Sequence, residues 1–393
     1  MKGTGVWSPL LTGEDAVQAL AAAEAIAHDL ADDPQAAAQV GLSGGLAGLA
    51  LLFAYRERAL GDRQAGELAE QCLERAITRL AEPPSPGASL YHGYSGVAWV
   101  VEHVAGGEPL AEEDDPNGEI DAALLALLQR SPWRDDFDLL GGLVGWGVYA
   151  LERMPRPSAA ALLTLVVARL AECAEHGDSG AVWRDPRSPA RPPDLGMAHG
   201  AAGVIALLAR IVREGPPGSE AGPLLTAAVG GVLSRSREAE EDGDLAWCAG
   251  DAGLSVALLA AGRACRRDDW EDAARRLSLA SAERYRADGG GFDPALCHGT
   301  AGLSHLFHRL FLATGDSELL AAARRWIERT LALRRPGQGH GGYQSRGRLA
   351  DGRLGWITDP GFLGGAAGIG LALLAAAATV EPEWDRLLLL SGA

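Results

Sequence analysis

Seven times along this chain, two glycines three apart are followed by an apolar run. The pairs are Gly45/Gly48, Gly93/Gly96, Gly142/Gly145, Gly200/Gly203, Gly250/Gly253, Gly299/Gly302 and Gly365/Gly368. First glycines are separated by 48, 49, 58, 50, 49 and 66 residues. A fixed period of this size marks a repeat architecture, and each interval has room for two helices with their connections. The runs after the glycines, such as Val204-Ile205-Ala206-Leu207-Leu208-Ala209, are apolar all round, so they are expected to be buried on every face. Between them lie amphipathic stretches, at 14–30, 63–80, 119–130, 157–175, 220–238, 268–286 and 316–333. In the last, Leu319, Leu320, Ala323, Trp326, Ile327, Thr330 and Leu331 form one apolar stripe. Seven buried helices alternating with seven amphipathic ones predict an all-α fold, an α/α toroid with inner helices ringed by outer ones. No break in composition divides the chain, so residues 1–393 are expected as a single domain.

The glycines are expected to let inner helices approach closely at one end. Helix N-termini gathered there would favour anions. The 334–360 segment, with His340, Tyr343 and Trp356, is expected to form a short hairpin or a flap.

Composition narrows the function. A net charge of −17 argues against nucleic acid or an anionic membrane as partner. The five cysteines are odd in number and unevenly spaced, which fits a reducing, cytoplasmic setting better than a disulfide framework. No apolar signal core follows Met1–Gly5. The uncharged run from Gly361 to Val380 reaches spanning length, but it matches the repeat and reads as a buried helix.

Chemistry concentrates in three of the turns. Trp247-Cys248-Ala249-Gly250 and Leu296-Cys297-His298-Gly299 carry thiols at matching positions, and Ala198-His199-Gly200 carries an imidazole. Catalytic zinc takes three ligands from cysteine, histidine or carboxylate and keeps a fourth position open. Cys248, Cys297 and His298 supply such a set, and two thiolates with an imidazole favour zinc among common metals. His199 could be a fourth ligand, a packed residue or a proton-transfer group, and His92 occupies the same repeat position. The repeat pattern does not rank the two. Asp138, just before the third glycine pair, could orient a histidine, take a proton, or serve as a plain helix-end charge. His305 and His308 point down their helix and read as packing or outward residues, and Cys72, Cys173 and Cys265 have no metal-spacing partner.

The seven Gly-x-x-Gly repeats, with Trp247-Cys248-Ala249-Gly250, Cys297-His298-Gly299 and His199-Gly200, resemble the lanthionine synthetase C-like family over essentially the whole chain. The resemblance implies an α/α toroid with one zinc per chain, held by Cys248, Cys297 and His298. It assigns His199 as the acid/base group and Asp138 as the family's aspartate before the third inner helix. The implied reaction closes thioether rings by adding peptide cysteines to dehydroalanine or dehydrobutyrine. The implied partners are a dehydrated ribosomal precursor peptide and a lanthipeptide dehydratase. Alternatives are an enzyme adding glutathione or another thiol to dehydroamino acids, and a non-catalytic zinc-bearing scaffold for a peptide or dehydratase. A sugar-processing α/α barrel would need paired carboxylates facing a cleft, where these turns carry cysteine and histidine. Some cyclases of the family carry an arginine four residues before the first zinc cysteine and an aromatic just after it. Here those positions are Asp244 and Ala249, with Arg184, Arg346 or His340 as candidate substitutes.

Overall fold

The computed structural model describes residues 7–83, 86–106, 115–236, 245–284, 292–349 and 351–391. Two of the amphipathic stretches form with aspartate caps at their starts. Asp62 caps α3 (Arg63–Leu80) by accepting a hydrogen bond from the Ala65 amide. Asp316 caps α13 (Ser317–Ala332) through the Glu318 amide. These side chains satisfy donors that a helix start leaves open. Two apolar helices end on glycines in the left-handed region, Gly61 at φ 70° and Gly315 at φ 74°, where a side chain would be strained.

The residues group into two compact units: 1–85 with 278–385, and 86–277 with 386–393. The first unit contains α1 (Gly13–Asp32), α2 (Leu46–Leu60), α3, α12 (Thr300–Thr314), α13 and α14 (Ala366–Ala377). The segment between α13 and α14 holds the antiparallel hairpin β3 (Ser345–Arg348) and β4 (Leu354–Ile357). The second unit contains α4 (Tyr94–Val104), α5 (Gly118–Leu128), α6 (Leu143–Glu152) and α7 (Pro157–Glu172). It continues with α8 (Ala201–Glu214), α9 (Ala221–Ser236) and α10 (Asp251–Cys265). A second hairpin, β1 (Glu175–Gly177) with β2 (Gly180–Val182), follows α7. Helix α11 (Asp268–Arg284) runs across the division between the units.

Burial follows the pattern read from sequence. Every residue from Ala201 to Ile211 in α8 and from Ala366 to Ala376 in α14 is buried. In α13 the buried stripe is Leu319, Ala322, Ala323, Trp326, Ile327, Thr330 and Leu331, with Ala322 in place of the half-buried Leu320. His305 and His308 pack inward. His305 bonds Asp385 at 2.7 Å, and the His308 ring lies 4.5 Å from that of Trp7. Among the described residues no helix is long and apolar enough to cross a membrane.

The glycine pairs serve a different contact from the one expected. A Cβ on Gly45, Gly142, Gly200 or Gly365 would clash with the carbonyl six residues upstream in its own loop. The same holds for the second glycines Gly48, Gly145, Gly203, Gly253, Gly302 and Gly368. The close approach is between a helix start and the loop that leads into it, rather than primarily between neighbouring helices. Dihedral strain is not the reason: Gly45 and Gly200 have φ of −143° and −129°, which any residue adopts.

That wrapping also consumes the helix starts. Amides bond carbonyls seven residues upstream at Leu46 to Gln39, Val144 to Phe137, Ala201 to Asp194, Thr300 to Asp293 and Ala366 to Asp359. At these starts some of the donors expected to favour an anion bond the helix's own loop instead. Replacing Gly48 with alanine, which would press on the Leu42 carbonyl and on Phe362, is expected to cost about 1–3 kcal/mol in chemical denaturation. Gly118→Ala, with open space around it, should stay within about 0.5 kcal/mol.

Candidate active site

Successive turns are laced together by single backbone bonds. In the second unit the Tyr91 amide donates to the Leu140 carbonyl, Leu139 to Ala198, and Ala198 to Cys248. In the first, Cys297 donates to Leu363 and Phe362 to Ser43. These rungs fix which side chains meet. Because Leu139 bonds Ala198, Asp138 comes beside His199.

Asp138 Oδ2 lies 2.6 Å from His199 Nδ1, and Asp138 Oδ1 accepts the Gly141 amide at 2.7 Å. The carboxylate is buried while the imidazole is 54% exposed. The bond to Asp138 raises the His199 pKa above its ordinary 6.5, against the opposing effect of burial; Asp194 and Cys248 add smaller upward pulls. The ring borders a cavity of about 290 Å³ whose wall includes Asp136, Arg187, Arg191 and Asp194. Arg187 reaches Asp136 at 3.2 Å. His92, the competitor at the same repeat position, has its pKa lowered by burial, and among the described residues no carboxylate bonds its ring. Geometry thus separates two histidines that the repeat pattern left equal.

Cys248 is half-buried in the turn after Trp247, whose indole nitrogen donates to the Leu388 carbonyl at 3.0 Å. Cys297 and His298 share one turn of the other unit, and both are half-buried. His298 Nε2 lies 3.2 Å from Asp293 Oδ2. Asp293 was not among the residues singled out above, yet its side chain is wholly buried. The repeat holds its signal: an aspartate stands six residues before the first glycine at Asp136, Asp194, Asp244, Asp293 and Asp359. Among the described residues no three side chains of His, Cys, Asp or Glu form a ready metal cluster.

Of the candidate replacements for the family arginine, Arg184 is tied to Glu175 and the Arg191 carbonyl. His340 is tied to Asp33 at 2.8 Å. Arg346 sits beside the Cys297–His298 turn, its amide bonding Asp293 Oδ2 at 2.8 Å and its guanidinium over Trp356. Asp244 lies outside the described residues.

A raised histidine pKa fixes a sign. The charged Asp138–His199 pair contributes stability fully below pH 6.5, and that contribution is lost as pH rises through the raised midpoint. Asp138→Asn is expected to move the His199 midpoint down in an NMR titration of its ring protons; an unmoved midpoint would contradict the pairing.

The structure is similar to that of nisin cyclase, with a TM-score of 0.69 and 18% identity over 92% of this chain and 94% of that one. That likeness shows the fold class, an all-α α/α toroid. No curated protein sequence matches the chain. The family model for lanthionine synthetase C-like proteins matches residues 37–389. The chain therefore belongs to the lanthionine synthetase C-like family.

Proposed function

We propose that this protein is a zinc-dependent lanthipeptide cyclase. The observation that carries the reading is the Asp138–His199 pair, a buried carboxylate bonded at 2.6 Å to a half-exposed imidazole in a chain of this family. The nisin cyclase likeness is in keeping with it. The substrate would be a ribosomal precursor peptide carrying cysteine and dehydroalanine or dehydrobutyrine. A dehydratase must act first, since the dehydro residue arises by loss of water from serine or threonine.

Cys248, Cys297 and His298 are the residues that would hold one zinc per chain. Their donor set fits the ion: two thiolates and an imidazole suit zinc and leave a fourth position open. The buried carboxylate against His298 is the usual companion of a metal-ligating histidine. When bound, zinc lowers the pKa of a coordinating thiol and so favours its thiolate.

The chain's own residues account for the proton. In the overall reaction, sulfur bonds the β-carbon of the dehydro residue and the α-carbon gains a proton, so mass is unchanged. Bonding to Asp138 occupies His199 Nδ1, which turns Nε2 outward as the proton donor. The raised pKa keeps that donor charged at a higher pH than an ordinary histidine. The neighbouring cavity, with Arg187 and Arg191 on its wall, offers room for the peptide beside the ring.

The test is zinc content together with thiol loss at unchanged mass on a dehydrated, cysteine-containing peptide, comparing wild type with Cys297→Ala. One zinc per chain, lost together with ring closure in the variant, is the expected outcome. His199→Ala should retain zinc and lose about 100-fold or more in rate, the scale of a removed acid/base group. Zinc without thiol loss in the wild type would favour the scaffold reading, and a wild type without zinc would overturn the metal assignment.

A further inference from the structure

Asp293 makes more bonds than its turn requires. Its carbonyl accepts the Thr300 amide at 2.8 Å, and Oδ1 accepts the Ala295 amide at 3.1 Å. Oδ2 accepts the Arg346 amide at 2.8 Å and meets His298 Nε2 at 3.2 Å. The repeat supplies an internal control. Asp359 stands at the equivalent position of the next turn, with its carbonyl on the Ala366 amide and Oδ1 on the Gly361 amide at 2.7 Å. Where the Asp293 turn has His298, that turn has Gly364. Loop and helix start are therefore built the same way without any imidazole, and the Oδ2–His298 bond is an addition to the turn.

The addition has a chemical direction. A carboxylate bonded to one ring nitrogen holds the proton there and leaves the lone pair to the other. For His298 the proton is held at Nε2, so ligand character falls to Nδ1. His199, at the same place in its own turn, is held the opposite way, through Nδ1 by Asp138. One backbone position thus carries two histidines with opposite nitrogens engaged, one suited to bind a cation and one to donate a proton from Nε2.

We propose that Asp293 is a positioning residue that fixes His298 as an Nδ1 ligand, with the Arg346 amide clamping the carboxylate and so tying the β3–β4 hairpin to the same atom. This rests on the metal reading above.

The test uses full-length wild type, Asp293→Asn and Asp359→Asn, each titrated with zinc against a chromophoric chelator, with denaturation midpoints measured in parallel. Asp293→Asn is expected to weaken zinc binding roughly 10- to 100-fold, the scale of a lost outer partner. Asp359→Asn should lower the denaturation midpoint and leave zinc affinity unchanged. Equal affinities for wild type and Asp293→Asn, or equal losses in both variants, would overturn the proposal. If Asp293→Asn does not fold, the wild type decides by itself: long-range ¹H–¹⁵N spectra of the zinc-free protein should show the His298 proton on Nε2, and a proton on Nδ1 would overturn it. A wild type that binds no zinc overturns both this inference and the metal reading, whereas a zinc-binding wild type with an unaffected Asp293→Asn overturns this one alone.

Discussion

The backbone of each loop folds against the first turn of the helix it leads into, and most of the structure depends on that contact. Amide-to-carbonyl bonds spanning seven residues recur at Leu46, Tyr94, Val144, Ala201, Thr300 and Ala366. Buried helix starts must find acceptors for their open amides. Here glycine at the helix cap, with no capping side chain, leaves the space for a loop carbonyl to do so. Helices buried on all faces could not rely on water for those donors. The loop that caps the helix also carries the candidate site side chains Asp138, His199, Cys248, Cys297 and His298.

From that contact the site follows by register. Once the Leu139 amide bonds Ala198, Asp138 and His199 have little choice but to meet. The same lacing brings the backbone of Ala198 to that of Cys248. A separate feature braces the far end of α6. Arg153, wholly buried, bonds Glu102, Asp115 and Asp121. Desolvating so many charges is costly unless every one is paired, and here the carboxylates share one guanidinium, with Arg156 also on Glu102. Helix α6, which follows the turn that presents Asp138, is thus held at its start by lacing and at its far end by a buried ionic cluster.

Much of this was legible in the residues. Glycine spacing announced the helix alternation, because a buried helix leaves an unbroken apolar signature and an exposed one a periodic stripe. The bounds of α3 agree with the stretch read from sequence, and α13 differs by a residue at each end. Cysteine and histidine at repeat positions pointed to the reactive turns. What stayed hidden was pairwise. The repeat pattern left His199 and His92 equal and only the resemblance chose between them; what separates them physically is which ring faces a carboxylate. Asp293 escaped notice because its aspartate recurs in turns with no histidine, so its type alone reads as a turn former. The β1–β2 hairpin was missed because three-residue strands carry too little alternation to register.

Each turn keeps one position outside the backbone contact: the residue just before its first glycine. It is histidine at His92, His199 and His298, glycine at Gly44, Gly141 and Gly364, and alanine at Ala249. At Gly44 an added Cβ would meet only the Gln39 side-chain oxygen, at 3.7 Å. At Gly141 it would lie 3.2 Å from Asp136 Oδ2 and at Gly364 2.9 Å from Asp359 Oδ2, so these positions share a place in the turn but differ in the room they offer. In four of the turns that position meets the side chain five residues upstream, Gln39, Asp136, Asp293 or Asp359, so each loop's own residue sets what the position can hold.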